Sequence, residues 1–262
     1  MRKEAVDNDK MRELIRYEQK ARLYLDSKKT GKEFVLGSKS VHDEYRAPYE
    51  VFEKQILTIA KKGNRVLDLC CGAGAFSFIS NNLGTSISVA DISPGNVEHA
   101  VSVGRQNGII ISGKVTDAES LAFKNDSFDL ITCAGGLSYF DRAKGLGEIR
   151  RVLSPGGHFI CIDSLNHNPI YRLNRYIHYR RGIRTLSTLR RMPDMTIFTQ
   201  FERHLGSVVN KSFHGCFAFL IPFLKPFIGG FNVGLIVDLL DKKYSFMHKY
   251  AFKFVAVVQK QY

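Results

Sequence analysis

The chain has 262 residues, 44% hydrophobic and 24% charged. These proportions allow one sizeable core and argue against a disordered chain or two independent domains. With 38 Lys and Arg against 25 Asp and Glu its formal charge is +13, which favours phosphate-bearing partners or an anionic membrane surface without saying which. Residues 1–20 hold no apolar signal-peptide region, and the most apolar stretch, 216–240, is interrupted by Pro222, Lys225, Pro226, Gly229 and Gly230. No secretory signal and no uninterrupted membrane span of about 18 residues is therefore expected.

Taken in order, residues 1–35 are polar with sparse apolar positions and read as one or two surface helices. Tyr45, Tyr49, Phe52, Ile56 and Ile59 recur near the 3.6-residue period, predicting a helix within 41–62. Short Val- and Ile-rich runs then alternate with helix-like stretches, at 65–70, 86–90, 109–115, 128–133 and 158–162. Such alternation predicts a doubly wound, mostly parallel α/β sheet of the Rossmann-like kind. Beyond Asp163 comes an arginine-rich helical insertion at about 169–205. A strand over 207–214, the apolar segment and a closing strand over 251–258 follow, with no parallel crossover between them, so one late strand should run antiparallel. The expected organisation is a single domain over 1–262: an N-terminal helical cap (1–62), a core (63–165), the arginine-rich insertion (166–206) and closing strands carrying the apolar insertion (207–262).

Cys70, Cys71, Cys133, Cys161 and Cys216 are odd in number and mostly lie within apolar runs, which reads as reduced thiols of a cytoplasmic protein. No CxxC pair and no zinc-type Cys/His spacing occurs, so no metal site is expected.

Chemistry concentrates after the strands. Val66-Leu67-Asp68-Leu69-Cys70-Cys71-Gly72-Ala73-Gly74 is a strand entering a glycine turn expected to open a helix, where a ligand can approach the backbone. Asp91 ends the second strand about 20 residues on and can hold two ribose hydroxyls, or cap the helix that Ser93-Pro94 opens. Asp117-Ala118 follows the third strand, Phe128-Asp129-Leu130-Ile131 forms the fourth, and Ser154-Pro155-Gly156-Gly157 makes a turn into the fifth. A nicotinamide-type fingerprint wants a third glycine where Ser77 stands, and it leaves Asp117 and the Pro-Gly-Gly turn unexplained.

This ordered set, over roughly 40–165, resembles the class I S-adenosylmethionine-dependent methyltransferases. The resemblance implies S-adenosylmethionine as cofactor. Gly72 and Gly74 then admit its methionine part beside Asp68 and Cys70, Asp91 takes the ribose, and Ile92 packs on the nucleoside. Asp117 and the Ala118 amide read the adenine, and residues from Ala134 to Tyr139 line the path to the methyl. Cys70 stands where the family has its first glycine, so a narrower pocket is expected. Asp129 reads as structural. N-terminal segments in this family often fold over the cofactor.

Methyl transfer needs an aligned acceptor and, for a hydroxyl, a base. The candidates are His167, Tyr139 and Asp163, with His42 a weaker one. His167 is preferred because its ordinary pKa lies near neutrality, although Asn166-His167-Asn168-Pro169 is also good loop and helix-start chemistry. Between Asp163 and Asp194 there is no acid and there are seven arginines. Arg172, Arg175 and Arg180 are thus candidates for an anionic acceptor, while a solvated cap face is the plainer reading. A looser similarity to methyltransferases of bacterial surface-polysaccharide assembly implies O-methylation of a sugar hydroxyl on a nucleotide- or lipid-diphosphate-linked glycan. The alternatives are RNA, for which no binding module is recognised, a lipid or quinone reached from the membrane surface, and a non-catalytic S-adenosylmethionine-binding protein. The apolar segment is core, a dimer contact or a peripheral membrane contact, and the oligomeric state is open.

Overall fold

The computed structural model describes residues 2–29 and 34–261, with side chains over 8–26 and 34–261. A long helix α1 (Arg2–Lys29) and helix α2 (Ala47–Ile59) precede the sheet. Strands β1 (Arg65–Leu69) and β2 (Ser86–Asp91), helix α3 (Pro94–Gln106), strands β3 (Ile111–Val115) and β4 (Phe128–Ala134), helix α4 (Arg142–Val152) and strand β5 (Leu153–Ser164) follow. The insertion is α5 (Pro169–Arg180), α6 (Leu186–Arg191) and α7 (Ile197–His204), and the chain closes with β6 (Ser207–His214), α8 (Ile221–Lys243) and β7 (Lys253–Gln259).

Seven strands lie in the order β3-β2-β1-β4-β5-β7-β6. β1 to β5 are parallel, and β7 runs antiparallel between β5 and β6. This is the Rossmann-like arrangement expected, with its antiparallel strand near the C-terminus. The order reverses beside β1, which puts the crevice for ligands beyond the carboxyl ends of β1, β2 and β4.

The period-two alternation of strand side chains builds two cores. Val66, Leu130, Ile160, Val255 and Val257 point to one face, where Phe52 and Ile56 of α2 cover them. Leu67, Leu69, Ile131, Cys133, Phe159 and Cys161 point to the other, beneath Leu146 and Ile149 of α4 and Ile197 and Phe201 of α7. Each large apolar side chain buried in this way contributes roughly 1.5–3 kcal/mol. α7 is therefore core, and only α5 and α6 of the insertion act as a cap.

The glycine turn after β1 does not open an α-helix. Its hydrogen bonds are i→i+3, from Gly74 N to Cys71 O (3.0 Å), Ser77 N to Gly74 O (3.3 Å) and Asn81 N to Phe78 O (3.1 Å). The segment is held at two points: Ser77 Oγ donates to the buried Asp68 at 2.6 Å, and Gly74 (φ +87°) lies against Ala100 of α3. β3 starts two residues later than expected because Ile109 N turns back to Gly104 O at 2.9 Å behind Gly108, closing α3. β5 reaches back to Leu153, which pairs with Phe128 across an irregularity in register.

The interruptions in the apolar segment do not stop a helix either. Pro222 sits in the first turn of α8, and the non-helical Gly229 (φ 78°, ψ 163°) makes a kink just after Pro226. By length and composition only, Ala218–Lys243 is apolar enough to cross a membrane. Among the described residues no three His, Cys, Asp or Glu gather as a metal site, and the five cysteines are free.

Candidate active site

A cleft enclosing about 1080 Å³, its open mouth included, lies at the carboxyl ends of β1, β2 and β4. Its floor is the β1 exit. Asp68 is buried there, bonded to Ser77 and to Thr132 Oγ1 at 3.2 Å, and burial pushes its pKa up to about 6 against those two hydrogen bonds. Cys70 takes the left-handed conformation at φ 56°, which costs a non-glycine residue about 1–2 kcal/mol. Gly136 accommodates its side chain, because a Cβ there would stand 2.8 Å from Cys70 Cβ and 2.6 Å from Cys133 Sγ. Gly72 (φ 50°) faces open space, with nothing within 4 Å of where its Cβ would be.

Asp91 closes β2 at the edge of this cradle. Its carboxylate accepts from Gly72 N (3.0 Å), Ser93 N (2.9 Å) and Asn96 Nδ2 (3.3 Å), and burial raises its pKa against those donors. Ser93 Oγ caps α3 by accepting from Asn96 N at 3.2 Å. Asp91 thus both fixes the glycine turn and supports the start of α3. Ile92, Asp117, Ala118 and Ala134 complete this half of the lining.

Gly74 is not part of it. An added Cβ would stand 2.8 Å from Ala100 Cβ, so this glycine permits close packing of the turn on α3.

The roof is α1. Glu18 accepts from Ser93 Oγ (2.7 Å) and Gly95 N (3.1 Å) at the start of α3, where the helix dipole favours an acid. Across the cleft, Glu13 accepts from Thr185 Oγ1 (2.9 Å) and Thr188 Oγ1 (3.1 Å), and Asp9 accepts from Ser187 N (3.0 Å). Lys10 pairs with Asp117 and reaches Glu119 at 3.4 Å. Lys10, Glu13, Leu14, Tyr17, Ser187, Thr188 and Arg191 thereby line the cleft. None of these was singled out as a site residue. The only sequence signals were the family tendency of N-terminal segments to fold over and the arginine-rich tract.

At the mouth, Tyr17 Oη donates to Tyr139 Oη at 2.6 Å, the rings meet edge to face at 5.3 Å, and Arg16 Nη2 lies 3.4 Å from Tyr139 Oη. Arg16 also donates to Ile183 O at 2.5 Å. Behind it a groove is bordered by Arg12, Arg16, Arg180 and Arg184. Of the three catalytic candidates, only Tyr139 lines the cleft. Asp163 is buried, accepting from Leu137 N (2.9 Å) and Ser164 N (2.6 Å). It holds the loop that carries Tyr139, and burial raises its pKa. His167 lies outside the cleft, its ring nitrogens buried without a well-formed hydrogen bond. Burial lowers its pKa, and the nearby Lys249 backbone opposes that shift. His42 is exposed, ahead of the short turn Asp43–Tyr45.

The three candidate arginines part company. Arg175 is buried, bonded to Leu165 O and Asn166 Oδ1, with its guanidinium 5.4 Å from the Phe252 ring centre. Burial lowers its pKa to about 10. It braces the loop after β5 and is unavailable to an acceptor. Arg172 is exposed on α5 away from the cleft lining, and Arg180 borders the groove. Asp129 is structural, pairing with Arg65 at 2.7 Å and accepting from Ser154 at 3.2 Å.

Comparison with known proteins agrees with this geometry. Residues 66–157 match the family described as methyltransferase domain. A ubiquinone biosynthesis O-methyltransferase of Cereibacter sphaeroides is 35% identical over 109 residues, covering 41% of this chain and 44% of that protein. A ubiquinone/menaquinone biosynthesis C-methyltransferase of Zymomonas mobilis is 33% identical, covering 39% and 43%. The chain thus spans about half the length of the curated relatives it matches, or less. The fold resembles a Galdieria sulphuraria protein provisionally named a sarcosine dimethylglycine methyltransferase, with TM-score 0.62 and 16% identity over 92% of this chain and 98% of the other. Residues 66–157 of this chain match a methyltransferase domain and lie within a Rossmann-like sheet.

Proposed function

We propose that the whole chain is an S-adenosylmethionine-dependent methyltransferase acting on a small acceptor with an anionic group, which enters past Tyr139 from the arginine-bordered groove. One observation carries the acceptor half of this reading. The groove sets Arg12, Arg16, Arg180 and Arg184 against Asp9 and Glu13, keeps an excess of positive charge with Arg16 paired to Glu13 at 2.5 Å, and shares Arg16 with Tyr139 at the mouth of the cleft; guanidinium forks suit phosphate or carboxylate.

The residues present fit the cofactor. The backbone at Gly72 faces open space that a ligand can enter and a Cβ would intrude on, Asp91 lies at the strand end beside it, and Asp68 supplies a carboxylate on the floor. Asp117 and Ala118 flank the adenine side, where Lys10 shares Asp117. S-adenosylmethionine supplies a methyl group already activated on a sulfonium. The chain then has to align an acceptor and keep water out. α1 serves the second need, being tied to α3 by Glu18 and to α6 by Asp9 and Glu13. Tyr139 and Arg16 serve the first, placing a hydroxyl-bearing acceptor at the inner end of the groove.

The curated relatives are quinone methyltransferases by name, and a lipid-borne acceptor approached from a membrane suits the exposed apolar helix α8. The glycan reading uses the same groove, since arginines would read a diphosphate whatever ring it carries. Incubating the protein with methyl-labelled S-adenosylmethionine and separate lipid, nucleotide-sugar and RNA fractions of a cell extract tests the proposal. Label in the lipid or nucleotide-sugar fraction is expected. Label in RNA alone, or in none of the three while the cofactor binds, would contradict it. Tyr139→Phe is expected to lower incorporation at least about tenfold with S-adenosylhomocysteine affinity within about threefold. Unchanged incorporation would remove Tyr139 from the acceptor site.

A pH dependence follows from Asp68. The methionine ammonium calls for the ionised carboxylate, and in the free protein that form gives way to the acid as pH falls through about 6. S-adenosylhomocysteine affinity should therefore fall about tenfold between pH 7 and pH 5, one decade per unit below the pKa. Titrations at both pH values, repeated with Asp68→Asn, check this. The variant should bind weakly with a flatter profile, and a wild-type affinity independent of pH would contradict the role of Asp68.

A further inference from the structure

Helix α8 leaves one of its faces uncovered. Beyond the kink at Gly229, Phe231, Leu235 and Leu239 lie on one face, and Phe223 and Phe227 stand exposed on the turns before it, all five 50–86% exposed. The opposite face is the anchored one. Val233 and Val237 pack with Ala218 and Ile221, joined by Tyr171 from α5. Asp241 accepts from Gly215 N at 2.5 Å, and Gly234 lies against the backbone of Asp43 and Glu44, where a Cβ would stand 2.9 Å from Asp43 O. α5, meeting α8 through Tyr171, exposes a second stripe at Ile170, Leu173 and Ile177, spaced i, i+3, i+7 along one helix face. Apolar patches of this extent mark a partner surface.

The topology limits what the helix can do. The excursion 215–252 leaves the sheet at His214 and returns at Lys253, and these two residues are paired in adjacent antiparallel strands. Both ends of the excursion are therefore held at one point of the sheet, and a helix crossing a bilayer would leave only residues 244–252 to bring the chain back. The helix can lie along a bilayer instead.

The charges select the occupant. Lys242, Lys243 and Lys249 are exposed around the C-terminal end of α8, where Asp238 is already paired with Lys242 at 2.5 Å and Asp241 is buried. Arg172, Arg180 and Arg181 are exposed on and just after α5, in a tract free of acids from 164 to 193. A second copy of a chain with charge +13 would bring like charge against like. An anionic lipid surface offers the complementary sign to the basic residues and an apolar layer to the phenylalanines.

We propose that α8, with the exposed stripe of α5, seats the protein in the plane of an anionic lipid surface without crossing it. This docking holds whichever acceptor the enzyme methylates.

The chain contains no tryptophan, so Phe227→Trp provides a single fluorescent reporter at an exposed position. The experiment adds vesicles of phosphatidylcholine, alone or with about one third phosphatidylglycerol, to the full chain carrying this substitution. A blue shift and co-sedimentation with the anionic vesicles, weaker with phosphatidylcholine and weakened by salt, are expected. The double substitution Phe223→Glu, Phe231→Glu, in the otherwise native chain, should reduce co-sedimentation at least about tenfold with melting temperature and S-adenosylhomocysteine affinity unchanged. Three results would overturn the proposal: no association with either vesicle, association that the double variant does not weaken, or a stable dimer in solution that the double variant dissociates.

Discussion

Asp91→Ala should weaken S-adenosylhomocysteine binding by tenfold or more while leaving a folded protein. Two ribose hydroxyls donating to a carboxylate are charge-assisted hydrogen bonds of about 1.5–3 kcal/mol each, and tenfold corresponds to about 1.4 kcal/mol. The substitution also releases Gly72 N and Ser93 N, which Asp91 holds at 3.0 and 2.9 Å, so the glycine turn loses its fixed position at the same time. The folded state resists for two reasons. Ser93 still caps α3, and removing a buried carboxylate whose pKa is raised by burial relieves a desolvation cost. Calorimetric titration of wild type and variant, with a thermal melt of each, makes the comparison. Equal affinity would mean that the ribose lies elsewhere.

The two glycines of the same turn should fail in opposite ways. Gly72→Ala puts a methyl into open cleft at φ 50°, costing about 1 kcal/mol of left-handed strain and so about 2–4 °C in melting temperature. It intrudes where the ligand approaches the backbone, and S-adenosylhomocysteine affinity should drop at least about tenfold. Gly74→Ala drives a methyl to 2.8 Å from Ala100 Cβ and 3.0 Å from its Cα at φ 87°. Overpacking and strain together cost roughly 3 kcal/mol, lowering the melting temperature by about 6–12 °C. Below that temperature its affinity should stay within about threefold of wild type. Melts and titrations of both variants decide the matter, and identical behaviour of the two would contradict the division between a ligand glycine and a packing glycine.

That division shows where sequence reading stops. Strand ends are legible because alternation and loop chemistry mark them, so Asp68, Gly72, Asp91, Asp117 and Tyr139 all come to the cleft. What a motif does not encode is the direction a side chain takes once the chain turns. Asp163 follows β5 at the right end of the sheet, yet it points at the Leu137 and Ser164 amides. Arg175 sits in a run of cap arginines, yet it is drawn inward by Leu165 O and the Phe252 ring. His167 has suitable chemistry in the wrong place. The converse failure is distance in sequence. Lys10 and Tyr17 meet Asp117 and Tyr139 across more than a hundred residues, and no local pattern announces such pairs. The helix expected after the glycine turn failed for a third reason, because buried Asp68 and Ala100 hold that segment more tightly than helix propensity can shape it.

The central claim is that this cleft holds S-adenosylmethionine, and one titration tests it most directly. Purified wild-type chain is titrated calorimetrically with S-adenosylhomocysteine, and in parallel with a nicotinamide dinucleotide. One-site saturation by the first and no saturation by the second is the predicted result. A cooperatively melting protein that takes up no S-adenosylhomocysteine, or that prefers the dinucleotide, would contradict the account.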